Sequence, residues 1–244
     1  LFTLAVAAAT PAAKPTQTPK PAATAASIRE QRFSQCIALV DADPEKAITA
    51  AGDWRIQGGG LDARHCLGLA YAALGRWPSA MTAFEQAAQD AEALRDVSAA
   101  DFWVQAGNAA LAGNDYQRAR SSFDAALAKG VPKTRDAGEA HLDRARTLVA
   151  LRDSKAARVD LDAALKLVPE DPLGWLLSAT LARREGDLTR ASSDIAEAGK
   201  RAPDDASVAL EAGNIAILSG ADDAARTAWE AAVRTAPETP AGKA

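Results

Sequence analysis

Two cysteines, two histidines, one methionine and 5% aromatic residues are all that this 244-residue chain offers for thiol, imidazole and ring chemistry. A protein zinc site takes three or four Cys, His or carboxylate ligands at short spacings, which this scatter does not supply. His65 and Cys66 are adjacent, and neighbours on a helix point about 100° apart, so they cannot act on one another as base and nucleophile. No G-x-S-x-G or H-E-x-x-H segment occurs, and Gly58-Gly59-Gly60 lacks the Lys-Ser/Thr tail of a phosphate loop. We therefore expect no catalytic residues, no cofactor and no metal. The carboxylates are expected on solvent-facing helix positions, as a solvated face rather than an acid–base pair. Lys and Arg form no run, and the net charge is −4, which argues against a nucleic-acid or anionic-membrane surface. Nothing alternates apolar and polar over strand length, so the ordered region is expected to be all-α.

What is present is a cadence. Leu67-Gly68, Tyr71, Gly75, Trp77, Ala80, Phe84 and Ala87 recur in weaker copies downstream. The second copy has Trp103, Gly107, Tyr116, Ala119, Phe123 and Ala126; the third has Ala145, Leu148, Ala157, Leu161, Ala164 and Pro169. A fourth has Trp175, Ala179, Gly186, Ala191, Ile195, Ala198 and Pro203, and a fifth Gly213, Gly220, Ala225, Trp229, Ala232 and Pro237. The matching alanines Ala80, Ala119, Ala157, Ala191 and Ala225 stand 39, 38, 34 and 34 residues apart. A period near 34 marks stacked helical hairpins, each too small to bury its apolar face alone. The two long intervals predict an extended second helix over 89–99 and a longer loop over 129–136.

These positions resemble the tetratricopeptide repeat, with departures at Arg64 in the first large-residue slot and Glu92 in the terminal proline slot. The resemblance implies a right-handed α-solenoid of about five good units over 61–237, preceded by a degenerate hairpin over 28–60. Small residues at positions 8 and 20 of each unit let packed helix axes approach to about 8–10 Å. Aromatics at 4, 17 and 24 fill the space between three helices. Within the degenerate hairpin, Phe33–Val40 predicts one helix, and Asp43-Pro44 a cap and first turn of the next.

Residues 1–9 form an apolar stretch that reads as the end of a secretory signal, followed by a Pro/Ala/Thr-rich linker over 10–27. Nine residues are too few to span a bilayer, which needs about 20. The protein is expected in the periplasm or otherwise exported, or held at the envelope by an uncleaved N-terminal segment. Cys36 and Cys66 fall on the first helices of neighbouring units, and export features favour a disulfide between them over two buried thiols. Such a bond would close a loop of about 30 residues, worth on the order of 3 kcal/mol.

In the family, first helices line a concave groove. Carrying its positions over unit by unit gives His65, Leu69, Val104, Asn108, Leu111, Leu142, Arg146 and Val149, then Leu176, Thr180, Arg183, Arg184, Leu210, Asn214 and Ile217. Asn108 and Asn214 take the slot where the family often holds a peptide backbone, and Arg146 with Arg183 could pair a carboxylate. The chain departs from the family's clamp for chaperone tails: His65 and Leu69 replace its Lys and Asn, while Glu139 and Asp143 are unsuitable downstream. The resemblance implies a partner protein or peptide segment with apolar anchors and acidic residues. A self-associating scaffold, or an accessory subunit of an envelope assembly machine, remains open, since only a tail over 238–244 follows the last unit.

Overall fold

The computed structural model describes residues 24–132 and 134–243, so the expected signal, most of the linker, Lys133 and Ala244 lie outside the described residues. The chain folds as thirteen helices among those residues, with no strand. A first hairpin pairs α1 (Ala25–Ala42) with α2 (Pro44–Ile56). Five units follow: α3 (Gly60–Ala73) with α4 (Trp77–Leu94), α5 (Ala99–Ala112) with α6 (Tyr116–Lys129), and α7 (Thr134–Ala150) with α8 (Ser154–Leu167). The last two are α9 (Pro172–Glu185) with α10 (Leu188–Arg201) and α11 (Ala206–Leu218) with α12 (Asp222–Thr235), closed by a short α13 (Pro240–Lys243). Contacts run between neighbours in sequence, or between first helices of adjacent units such as α5 and α7, giving a tetratricopeptide-like solenoid. The four-residue α13 packs on α11 and α12 at the end expected to be bare, yet buries none of its own residues.

Local chemistry sets the boundaries. Asp43, Asp115, Asp153, Asp171, Asp187 and Asp205 each accept a backbone N–H at the start of a helix. Gly58 and Gly60 take positive φ, 86° and 54°; the triplet breaks the chain after α2 as predicted, and Gly60 opens α3. The long intervals resolve into two longer helices: α4 has 18 residues and α7 has 17, against 14 in α6, α8, α10 and α12. The expected loop over 129–136 is thus shorter, because Thr134–Asp136 join the first turn of α7. Similarly α1 begins at Ala25, capped by the Thr24 hydroxyl, three residues before the expected linker boundary.

Packing inside each unit turns on one contact. A Cβ built at Gly68 would lie 2.5 Å from the Phe84 ring, at Gly107 2.7 Å from Phe123, and at Gly213 2.3 Å from Trp229. All three pair position 8 with position 24. Where position 8 is alanine, at Ala145 and Ala179, the partner is the smaller Leu161 or Ile195. Both departures from the repeat pattern also have partners. Arg64 donates through Nε to Asp90 at 2.7 Å and through Nη1 to Gln86 at 2.9 Å. Because α4 continues past the proline slot, Glu92 accepts from Trp103 Nε1 at 2.6 Å and pairs with Lys129 at 3.0 Å.

The carboxylates are not all solvated, contrary to the sequence expectation. Asp160, Asp194 and Glu211 are 1%, 6% and 7% exposed. Asp160 accepts from Arg144 at 2.6 and 2.7 Å, and bonds to His141 Nδ1 at 2.8 Å. Asp194 accepts from Ser178 at 2.5 Å and Arg190 at 3.2 Å, while Arg158 donates to the Ser178 hydroxyl at 2.6 Å. Burial pushes the Asp160 carboxyl up, but the bonds and charges of Arg144 and His141 outweigh it and hold it below the usual aspartate range. The remaining buried side-chain polar atoms among the described residues also have partners.

At the joint of the first hairpin and the next two units, His65 sits among the rings of Phe33 at 5.2 Å, Phe102 at 5.2 Å and Phe84 at 6.2 Å. Its Nε2 is 3.0 Å from Gln105 Oε1. Nearby, Cys36 of α1 and Cys66 of α3 are both buried and joined sulfur to sulfur, with Cα atoms 6.2 Å apart. Burial lowers the His65 pKa; the Gln105 bond and the charges of Asp62 and Asp101 oppose it without cancelling it.

Two outcomes are expected. Gly107→Ala gains up to about 1 kcal/mol of helix propensity, but its Cβ collides with the fully buried Phe123. It should lower stability in urea by about 1–3 kcal/mol, and Gly107→Ala with Phe123→Leu should recover most of that. For His65, the unfolded chain takes up its proton at higher pH than the folded one. Stability is therefore complete above about pH 6.5 and declines as pH falls through that value, by at most about 1.4 kcal/mol per unit. His65→Gln should remove that part of the slope in denaturation curves recorded between about pH 7.5 and 5.

Candidate functional site

Helices α5, α7 and α9 bring the groove residues together in three adjoining recesses. The first, about 320 Å³, lies between α5 and the start of α7 and is lined by Val104, Asn108, Glu139 and Asp143, among others. The second, about 410 Å³, shares Asn108 and Asp143 and adds Leu111, Tyr116 and Arg146. The third, about 190 Å³, shares Arg146 and adds Val149, Leu177, Thr180 and Arg184 over a floor of Leu161 and Leu181. Val104 and Leu111 pack on one apolar cluster and Val149 on the next, each keeping one side open. Asn108 is exposed and its amide makes no hydrogen bond among the described residues.

Other expected groove residues are engaged within the fold. Leu142 is 2% exposed, in one cluster with Leu148, Leu161 and Leu181, and so lies in the core. Gly174 of α9 covers it from the next unit: a Cβ built there would stand in ordinary contact, 3.4 Å, with Leu142 Cδ2. Arg183 Nε donates to Glu211 Oε1 at 2.6 Å and Nη2 to Oε2 at 3.2 Å, so its carboxylate is internal. Asn214 accepts from Trp229 Nε1 at 3.3 Å and donates to Glu211 at 3.4 Å, which removes it from peptide-backbone duty. His65 is enclosed by the rings described above. Leu69, Leu176 and Leu210 are half-buried and Ile217 is exposed, but none of them lines the three recesses.

The electrostatics change along the site. Arg146 donates to Asp143 at 3.0 Å, and burial raises the Asp143 carboxyl although Arg146 pulls it back. Arg184 makes no ion pair or hydrogen bond among the described residues. It is Arg184, next to the residue singled out for pairing with Arg146, that shares a recess with it. Slot arithmetic reached both arginines; only the Glu211 contact separates them. Among the described residues no group of His, Cys, Asp and Glu is arranged to hold a metal, and no helix is long and apolar enough to cross a membrane.

Comparison with known proteins agrees with this architecture. The family model described as tetratricopeptide repeat matches residues 67–133, 104–172, 142–198 and 176–240. Among solved structures the chain is similar to PilW, a widely conserved type IV pilus biogenesis factor, at 18% identity, with 88% of this chain and 97% of that one covered and a TM-score of 0.72. PilF of Pseudomonas aeruginosa is similar at 14% identity, 88% and 95% coverage and a TM-score of 0.71. YrrB, a TPR protein with an unusual peptide-binding site, follows at 21% identity, 74% and 89% coverage and a TM-score of 0.58. At these identities the likeness is one of fold. No curated protein matches the sequence. Because the family model spans well over half of the chain, the protein belongs to the tetratricopeptide repeat family.

Proposed function

We propose that the protein is a non-catalytic adaptor that holds a peptide or protein segment along the concave face of α5, α7 and α9. The observation that carries this reading is the continuity of the three recesses, which share Asn108, Asp143 and Arg146 across three units. Apolar walls from Val104, Leu111 and Val149 suit apolar anchors, and Arg146 with Arg184 suits an acidic companion. YrrB's peptide-binding site and PilW's part in pilus biogenesis make protein recognition a natural use of this fold, though they name no partner for this chain.

We place the adaptor in an oxidising envelope compartment, on the signal-like N-terminus and on the Cys36–Cys66 pairing. α1 buries only Cys36, and its attachment to α3 rests on that bond, on Phe33 packed against His65 and on the exposed Arg29–Asp62 pair. Intact mass of protein from its native source, alkylated with and without reductant, should show no accessible thiol until reduction. Two free thiols would remove the compartment argument.

The groove is tested by selecting binders from a displayed random-peptide library. Val104→Asp with Leu111→Asp should weaken the selected peptides at least tenfold, an effect of about 1.4 kcal/mol or more, with little change in helical signal. Val159→Asp, on a convex residue that is 68% exposed, should leave binding unchanged. Equal binding by all three proteins would defeat the groove reading.

A further inference from the structure

The first helix relates to its neighbour differently from the others. First helices of adjacent units touch lightly elsewhere, as α5 with α7 and α9 with α11, whereas α1 lies along α3 over a more extensive contact. Its side chains meet family groove positions there: Arg29 pairs with Asp62, and the Phe33 ring lies 5.2 Å from that of His65. Asp62 and His65 are positions 2 and 5 of their unit. One unit on, the same positions are Asp101 and Val104, and both line the first recess. α1 thus covers on α3 what borders open space on α5. Yet noncovalent packing holds α1 weakly. Residues 25–32 are all exposed, Phe33 and Val40 only flank the cluster of Cys36, Ala51 and Cys66, and Cys36 is the one buried residue of the helix. By contrast α2 buries Ala47, Ala51 and Trp54 and packs on α3 in its own right.

We infer that α1 is a strap across the first unit's groove positions, latched by the Cys36–Cys66 bond and released when a dithiol reduces that bond. The two sulfurs differ in access. Cys36 lines a recess of about 190 Å³ between α1 and α2, beside Arg32 and Trp54, while Cys66 is fully buried. A thiolate entering that recess attacks Cys36 Sγ, and Arg32, one helical turn before it on the same face, favours the anion. The S–S electron pair passes to Cys66, which takes up the proton shed by the incoming thiol. The reductant's second thiol, as thiolate, then attacks its own sulfur in the mixed disulfide, and Cys36 leaves and is protonated. Two electrons and two protons reach the protein, and the dithiol departs as a disulfide. Cys66 leaves into an apolar cluster, where a thiolate is disfavoured, so a monothiol's single attack reverses readily; ring closure by a dithiol completes the opening. Once open, α1 hinges at Asp43, which caps both α1 and α2, and Asp62 with His65 continues the first recess by one unit. That continuation rests on the groove reading; the release of α1 does not.

Hydrogen–deuterium exchange of the full chain, oxidised and after treatment with dithiothreitol, tests the release. A helix without packing partners keeps little protection, so amides over 33–42 should exchange at least tenfold faster once the bond is reduced. Those of α2 and of α5 to α12 should keep their rates. The double variant Cys36→Ala with Cys66→Ala should match the reduced protein with no reductant present. Unchanged rates over 33–42 on reduction, or in the double variant, overturn the inference. So does a lack of protection there in the oxidised protein, or faster exchange throughout the chain, which would make the bond a general staple. A released α1, with peptide binding that Val104→Asp and Leu111→Asp leave unchanged, would fail the groove reading and keep the strap. An α1 that stays put on reduction, in a chain whose binding those substitutions abolish, would do the reverse.

Discussion

The close approach of two helices inside each hairpin, at the point where position 8 faces position 24, is the constraint on which this stack depends. Helices can meet over a ring only if the opposing residue has no side chain, and three of the five units obey that with Gly68, Gly107 and Gly213. The other two meet over an aliphatic residue and tolerate Ala145 or Ala179. Volume is thus conserved across the contact rather than at either residue, as expected of interiors packed to crystal-like density. The exchange is not neutral everywhere. At Leu161 the smaller residue also forms part of the floor of the recess between α7 and α9.

Alanine-rich faces pack closely but present little relief to fix one hairpin's position against the next. Directional contacts supply it here: Arg118 with Glu85, Arg190 with Asp162, Arg144 with Asp124, Arg158 with Ser178, and Arg183 with Glu211. The exposed members contribute little to stability, typically about 0–1 kcal/mol each. The buried Glu211 acts differently, because a slipped register would take it from Arg183, and an unpaired buried charge costs several kcal/mol. Such contacts discriminate against wrong stackings more than they deepen the right one.

The repeat phase and the six hairpins were legible because they rest on short-range rules: small residues at fixed spacing, aspartate caps, and the glycine break at Gly58–Gly60; the short α13 within the expected tail was not. The aspartates at position 23, Asp160 and Asp194, carried a signal that went unread, since they recur 34 residues apart on a helix face that faces a neighbour. The site was legible in part. Val104, Asn108, Leu111, Arg146 and Val149 follow from slot arithmetic, because exposure there depends on the rotation of one helix. Leu142, Arg183 and Asn214 do not, because each is claimed by a residue in another helix: Gly174, Glu211 and Trp229. Pairings of that kind depend on how units sit together, which no local spacing encodes.

These claims also account for the candidate site lying in the middle of the stack. At the N-terminal end, His65 is locked among Phe33, Phe84 and Phe102, and the Cys36–Cys66 link draws α1 against α3. Toward the C-terminal end, the chain of contacts from Arg183 through Glu211 and Asn214 to Trp229 ties α9 to α11 and α12. In both places side chains at family groove positions hold neighbouring units together, so they are not available to a ligand. The unengaged positions that line the recesses lie on α5, α7 and α9, and there the lining passes from amide and carboxylate groups to two arginines over an apolar floor. On the proposed reading, a solenoid whose ends are braced by its own groove residues would confine recognition to the stretch between the braces, and the change of charge along that stretch would give a bound segment a preferred direction.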